Sequence, residues 1–454
     1  MTDLRRSASR SARRAASRTA SGVASGVATG RRWVRRALEN PPPGPFRRGF
    51  WRSPLRGPWF TAILSVALLP GIMLMFLTGL ASYAAYDPNL SAGNDPTPDK
   101  GLLGSWLPGW PAGPSWLYWV NQGVHVTLGL VLIPIVLAKL WSVLPKLFEW
   151  PPARSVTHLV ERVSLLLLVG GAVFELVTGV MNIQYFYAWP FGFYQAHYYG
   201  AWVFISAFVV HVALRLSRLG PMLRTRSLRR ELRTPLAQTT AEAPDPDHLA
   251  SPDPAPPTIS RRGALGMVAA SSVALLGLSV GQSIGGRVRS TALLAPRGQN
   301  PGPTDFQVNK TAAVAGVGPV DESWRLELIG PASRVALSRA QLLALRQHTA
   351  RLPIACVEGW STGVQTWTGV RLADLAVLAG ALPEARLFVE SLQRGGGFGS
   401  ATLSAGQVQA PDALLALRVN GVDLTPDHGF PARVVVPALP GVHNTKWVTR
   451  MTFQ

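Results

Sequence analysis

Four apolar stretches constrain this chain more than any other feature: Trp59–Tyr83, Trp116–Trp141, Val163–Ile183 and His197–Leu216. Each is close to the ~20 residues that a helix needs to cross a bilayer. In lipid the backbone must satisfy its own hydrogen bonds, which a helix does and an open strand does not. Residues 57–235 are therefore expected to form an all-α transmembrane bundle of four helices.

The charged flanks orient that bundle. The chain has 44 Lys+Arg against 24 Asp+Glu, a formal charge of +20. The basic residues gather in the first 56 positions and around Arg215–Arg233, each group bordering an apolar run. That is the pattern of loops retained on the cytoplasmic side, so the expected partner is the bilayer and not nucleic acid. Residues 1–56 are rich in Arg, Ser, Ala, Gly and Pro, which predicts a disordered basic cytoplasmic tail. No cleavable N-terminal signal pattern fits it. Asp87–Pro114 carries a single Lys and suits the outside, whereas Ser142–Arg162 is basic and suits the inside.

Residues 236–258 are rich in Pro, Ala, Asp and Thr, the composition of a flexible linker. A fifth apolar helix follows within 259–286. Its opening Arg261–Arg262, ahead of a weakly apolar run of Ala, Gly and Ser, resembles a twin-arginine export signal, without the usual Phe and Lys beyond the arginines. The helix is read as a retained anchor that leaves residues 287–454 extracytoplasmic. The expected protein is thus a multi-pass cell-membrane protein with its N-terminus inside and its C-terminal domain outside.

Ionisable groups within a bilayer are functional by default, and three histidines stand out. His125 lies in the second span; His197 and His211 share the fourth, 14 residues apart. That spacing is close to four helical turns, so both face nearly the same way about 21 Å apart. Haem b takes two axial imidazoles from neighbouring helices. On these positions Trp59–Leu216 resembles the membrane cytochrome b subunits of formate dehydrogenase type, which implies one or two haems b. The family's first-helix ligand has no counterpart, because the first span lacks histidine and offers only Trp59 nearby. His125 and His197 are accordingly paired around an outer haem, and His211 with His158 around a second. Glu175 in the third span reads either as a proton-transfer group at a quinone site or as a paired carboxyl inside the bundle.

The exported part mixes element types. Trp324–Ile329 alternates as a strand. Ser338 and Gln341 form a capping box before a short helix, and Leu372–Ala379 is a second helix closed by Gly380. Asn420–Gly421 is a hairpin turn between Leu414–Val419 and Val422–Leu424. Ala432–Val436 and Lys446–Phe453 complete a reading of α+β with a largely antiparallel sheet.

Within this domain lies Cys356, the chain's single cysteine, in the stretch Leu352–Leu372, LPIACVEGWSTGVQTWTGVRL. A lone thiol has no disulfide partner, and there is no Cys/His cluster for zinc or iron–sulfur. By itself it reads as a buried small hydrophobe or as a soft metal ligand. Its neighbourhood, IACVEGWS followed by Trp367–Leu372, resembles the metal loop of the sulfite-oxidase-like molybdopterin oxidoreductases. Asp427–Pro437, Lys446–Trp447 and Phe306–Ala312 resemble further motifs of that family in the same order, so that the likeness runs from Asp305 to Gln454. The resemblance implies an α+β molybdopterin domain in which Cys356 binds molybdenum as the catalytic centre. It also implies that Asn309, Lys310, His428, Arg433 and Lys446 hold the pyranopterin and its phosphate.

Some family features are absent. Val357, Glu358, Gly359 and Trp360 stand where sulfite oxidases place an anion-attracting arginine. Gly397–Phe398 stands where they carry a tyrosine at the metal, and VPALPG lacks the glycine after its VP. The expected activity is a two-electron, oxo-transfer type reaction on a small-molecule substrate, coupled through haem to membrane quinone. The alternative is a haem-containing electron carrier or sensor whose pterin domain no longer turns over.

Overall fold

The computed structural model describes residues 40–86, 110–152, 154–296, 304, 306–394 and 398–454. The basic tail before residue 40, residues 87–109 of the stretch expected outside, Asp305 and Gly397 lie outside the described residues. Five helices carry the apolar runs: α1 (Pro58–Tyr86), α2 (Leu117–Leu147), α3 (Val156–Ile183), α4 (Phe193–Arg224) and α5 (Arg261–Ile284). Each is long and apolar enough to cross a membrane. They outrun the apolar windows because aromatic and basic turns prolong a helix beyond its hydrophobic centre; α4 runs on through Pro221 to Arg224. Leu77, Val163, Leu166 and Leu214 remain exposed on these helices, as apolar surface meant for lipid does.

The chain divides into two compact units. The first takes the described residues up to Ile63, Lys139–Leu166 and Ala213–Gly263. Here residues 236–258 depart from the flexible linker expected of their composition. Glu242 accepts hydrogen bonds from the backbone N–H groups of Trp59 (2.8 Å) and Phe60 (3.2 Å), satisfying donors that the start of α1 leaves open. Asp247 receives Lys146 at 2.6 Å, Arg215 at 2.7 Å and Arg218 at 3.2 Å. Burial alone would raise the Asp247 pKa, but Lys146 and Arg215 prevail and hold it well below the usual carboxylate range. Arg261, the first of the paired arginines, is buried, with Glu231 at 3.4 Å and the Pro54 carbonyl at 3.0 Å. Composition underrates this segment because its acids answer basic residues distant in the chain.

The second unit takes Leu64–Ala138, Leu167–Val212 and Ala264–Gln454. Its C-terminal part holds ten strands in two sheets among the described residues. One sheet, in the order β2-β1-β10-β5-β6, joins Arg334–Ser338, Arg325–Ile329, Val448–Phe453, Leu387–Ser391 and Ser400–Leu403. Its single parallel pair among the described strands is β1 with β10. The other runs β3 (His348–Ala355), β4 (Ser361–Arg371), β7 (Leu414–Val419) and β8 (Val422–Asp423), with β9 (Arg433–Val435) also paired to β7. β7 is buried on both faces, as suits a central strand. Leu415 and Leu417 enter one core with Leu326, Leu328 and Met451, while Leu414 and Ala416 enter another with Phe306, Ile354 and Trp367.

Local signals place the small helices. Ser338 and Gln341 make both bonds of the capping box at α6 (Arg339–Ala344). Gly380, with φ +65°, follows α7 (Leu372–Leu378). Asn420 and Gly421 both take positive φ in the β7–β8 turn. Residues 352–371 lie in the β3–β4 hairpin, with Cys356 in its turn.

Candidate functional site

The β3–β4 turn builds the Cys356 environment. The Cys356 N–H donates to the Trp360 carbonyl (2.9 Å) and the Gly359 N–H to the Cys356 carbonyl (3.0 Å). Cys356 is buried. Glu358 folds back beneath it: its Oε2 accepts from the Trp360 indole at 2.7 Å, lies 3.5 Å from the Cys356 Sγ and also accepts from the Tyr185 hydroxyl. The turn needs Gly359, which has φ +86° and whose Cβ would lie 2.6 Å from Val126 of α2. Gln122 of α2 donates to the Val357 carbonyl, and Ser283 of α5 to the Gly359 carbonyl at 2.7 Å. Cys356 thus sits on a turn that is seated on two apolar helices.

Beside it lies a cavity of about 80 Å³ whose lining includes Asn309, Lys310, Cys356, His428, Arg433 and Lys446. Gly429, with φ +110°, brings His428, Arg433 and Lys446 together; a Cβ there would lie 3.1 Å from both Arg433 Cβ and Lys446 Cβ. Arg433 is buried and donates to the carbonyls of His428 (3.1 Å) and Asn444 (3.2 Å). Burial pushes its pKa down to about 9. His428 packs on Phe306 at 4.1 Å between ring centres, with Nδ1 2.8 Å from Thr425 Oγ1 and Nε2 3.3 Å from the Phe306 carbonyl. Burial, then the nearby Arg433, lowers its pKa to about 4. Lys446 donates to the Lys310 and Asp427 carbonyls. Two buried polar atoms here, Arg433 Nε and Thr445 Oγ1, have no hydrogen-bond partner among the described residues.

A donor set of one arginine, two lysines and one histidine, with an unsatisfied guanidinium nitrogen, fits a buried anionic group such as a phosphate. The soft thiol on the same wall fits a metal attached to that anion-bearing molecule. The family of oxidoreductase molybdopterin-binding domains matches residues 315–454. Residues 315–454 are a sulfite-oxidase-like molybdopterin-binding domain.

The chain is 34% identical over 131 residues to the uncharacterized oxidoreductase YuiH of Bacillus subtilis, covering 29% of this chain and 65% of that protein. It is 38% identical over 106 residues to human mitochondrial sulfite oxidase, covering 21% and 19%. It is 37% identical over 103 residues to the NADH nitrate reductase of Volvox carteri, covering 20% and 12%. The matched part therefore spans less than two thirds of the length of each of these relatives.

A second cavity, of about 240 Å³, lies among the helices of the same unit and is lined by His125, His197, Glu175 and Val357. The two imidazole rings stand 6.4 Å apart, centre to centre, at 83°. His125 Nδ1 lies 3.1 Å from both the Met75 carbonyl and Thr78 Oγ1. His197 Nδ1 lies 3.0 Å from Glu175 Oε2 and 3.1 Å from Thr178 Oγ1. A Cβ on Gly79 would sit 3.1 Å from His125 Cε1, and one on Gly179 would sit 3.7 Å from His197 Cε1. Each histidine is thus held by a Thr-Gly pair of a neighbouring helix. The sequence carries this signal as Thr78-Gly79 and Thr178-Gly179, yet only helix packing tells which histidine each pair meets.

The remaining histidines are placed differently. His211 is half-buried on α4. His158 is half-buried in the first turn of α3, where its Nδ1 accepts the Arg154 backbone N–H at 3.3 Å. His158 belongs to the first unit and His211 to the second. Trp59 is buried at the start of α1. Phe398, the residue expected near the metal without a hydroxyl, also lines the Cys356 cavity and packs against Tyr86 with ring centres 6.1 Å apart. Tyr86, Gln122, Tyr185 and Ser283 carry no local signal for this site, because only the packing of the helices brings them to it.

Proposed function

We propose that this chain is a membrane-anchored, molybdopterin-dependent oxidoreductase that couples a two-electron, oxo-transfer type reaction outside the cell membrane to haem b and membrane quinone. The observation that carries this reading is the seating of the Cys356 turn on α2: Gln122 holds Val357, Val126 abuts Gly359, and His125 lies between those two positions. Val357 itself lines the cavity of His125 and His197. A redox centre bound by Cys356 and one bound by the histidines would be separated by little more than this turn.

The residues fit both groups. His125 and His197 would be the residues that hold a haem iron, each through its free ring nitrogen. The rings here are 6.4 Å apart. The Met75 carbonyl can only accept, which leaves the His125 proton on Nδ1 and a lone pair on Nε2. When bound, molybdopterin supplies the two-electron oxo-transfer centre and haem b the one-electron step. The protein's part is to bind and exclude: Cys356 holds the metal, Asn309, Lys310, His428, Arg433 and Lys446 hold the pterin and its phosphate, and the packed turn keeps water from the path between the sites. Glu358 next to the thiol gives no attraction to an anionic substrate, so a small neutral or zwitterionic molecule suits the site better than sulfite. Basic flanks inside and the few charges of the outer loop support an inner N-terminus and an outer catalytic domain.

Metal analysis together with a reduced-minus-oxidised spectrum of the purified full chain tests the two cofactors at once. Cys356→Ser is expected to abolish metal-dependent activity while leaving the haem spectrum intact; an active, molybdenum-replete serine variant would overturn the assignment. Glu358 and Phe398 favour one second reading, a haem-containing electron carrier or sensor with a degenerate pterin site. Purified wild-type protein that retains haem but lacks molybdenum would select it.

A further inference from the structure

The two histidine cradles are near copies with one difference. In α1 the order is Met75, Thr78, Gly79, and in α3 it is Glu175, Thr178, Gly179, with identical spacing. Both threonines lie 3.1 Å from an imidazole Nδ1. The third partner differs: His125 Nδ1 meets the neutral Met75 carbonyl at 3.1 Å, whereas His197 Nδ1 meets the Glu175 carboxyl at 3.0 Å. The carboxyl is also fixed by its surroundings. Its other oxygen is buried without a hydrogen-bond partner, and a Cβ on Gly200 would come within 2.2 Å of it.

We infer that Glu175 is a positioning residue that fixes the tautomer and orientation of His197 and makes it the more strongly donating of the two imidazoles, lowering the reduction potential of the group they bind. The inference rests on the reading of His125 and His197 as haem ligands. A carboxylate that accepts the far N–H of a ligating imidazole raises the basicity of the coordinating nitrogen. A more basic axial ligand favours the oxidised metal, and second-shell hydrogen bonding is one of the levers that set a haem potential. Met75 supplies only a backbone carbonyl in the matching place, so side-chain substitution can remove the special partner from His197 and not from His125. The asymmetry also gives Glu175 a role in the bundle that needs no exchange with solvent or quinone.

The test is a redox titration of the full chain in detergent, followed by its haem absorbance. Glu175→Gln keeps the size and an acceptor oxygen but removes the charge. At a fixed applied potential it is expected to raise the reduced-to-oxidised ratio at least tenfold, a positive shift of about 59 mV for a one-electron couple, with haem content unchanged. Thr78→Val, on the His125 side, is expected to move the ratio by less. Gly200→Ala keeps the carboxyl and pushes it aside, and should shift the potential in the same direction as the glutamine variant. If Glu175→Gln loses its haem, the Gly200→Ala titration decides. A haem-replete variant at the wild-type potential overturns the role of Glu175. Wild-type protein without haem refutes the ligand reading itself, a separate outcome seen before any variant is titrated.

Discussion

Arg433 keeps a positive charge in the interior with an unused Nε and no carboxylate among its hydrogen-bond partners. Burying a charge is costly unless something pairs with it, and the lowered pKa of about 9 records that cost. His428 records the same field: burial first, then Arg433, brings it to about 4. The sign of the resulting pH dependence follows. An unfolded histidine titrates near 6.5, so between about 4 and 6.5 the unfolded chain binds the extra proton and stability rises with pH. Cofactor-free protein is therefore expected to lose stability as pH falls through that window, by up to about 3 kcal/mol from this group. Thermal melts at pH 7 and pH 5 check this, and His428→Gln should flatten the difference. Loading with the phosphate-bearing cofactor should also reduce it, because an anion offsets the Arg433 and Lys446 field. A cofactor-free wild type with the same midpoint at both pH values would contradict this origin. At this scale the gathering of Cys356, His428, Arg433 and Lys446 around one cavity was legible, because they lie in ordered motifs. Thr78 and Thr178 were not, because their meaning depends on which histidine the packing brings against them.

The β3–β4 hairpin is the element that most changes the reading of the chain. Capping residues marked α6, and Asn420–Gly421 marked the β7–β8 turn, since both signals are local. β3 and β4 do alternate in burial, but small or polar residues fill many of the buried places, Ala350 in β3 and Ser361, Thr362, Gly363 and Gln365 in β4, so the apolar period-two signal of a strand is weak in the sequence. The segment 236–258 was obscured for another reason: Glu242 acts on residues 183 and 182 positions away. The hairpin turn carries its own prediction. Gly359→Ala would force a side chain into positive φ, at about 1–3 kcal/mol, and into Val126 at 2.6 Å. The turn is expected to lift from α2, slowing substrate-driven haem reduction at least tenfold while molybdenum content persists. Stopped-flow haem absorbance measures it. Adding Val126→Ala should restore part of the rate, because it opens space at the same contact; no change in the single variant would show that the seated turn is dispensable.

For the whole molecule, the family match covers residues 315–454, and what the apolar helices do is argued from their own residues. The five helices are legible from length and composition, because lipid imposes one requirement on every turn of them. The number of haems is not legible that way, since a histidine's type says nothing of its tautomer or neighbours. His125 and His197 face each other across 6.4 Å with Nδ1 turned toward fixed partners. His158 is the reverse case: its Nδ1 accepts a backbone N–H, which places the proton of the neutral ring on Nε2. It is half-buried, and the Arg154 N–H holds it through Nδ1. Under the proposed haem reading, one haem per chain is expected in place of the two that His158 and His211 would allow. Purified protein should contain haem and molybdenum in a ratio near one, His125→Ala should abolish the haem signal, and His211→Ala should leave it. Pyridine haemochrome and metal analysis give the ratio. Two haems per molybdenum, with one lost in the His211 variant, would establish the second site and make α4 a ligand donor at both of its ends.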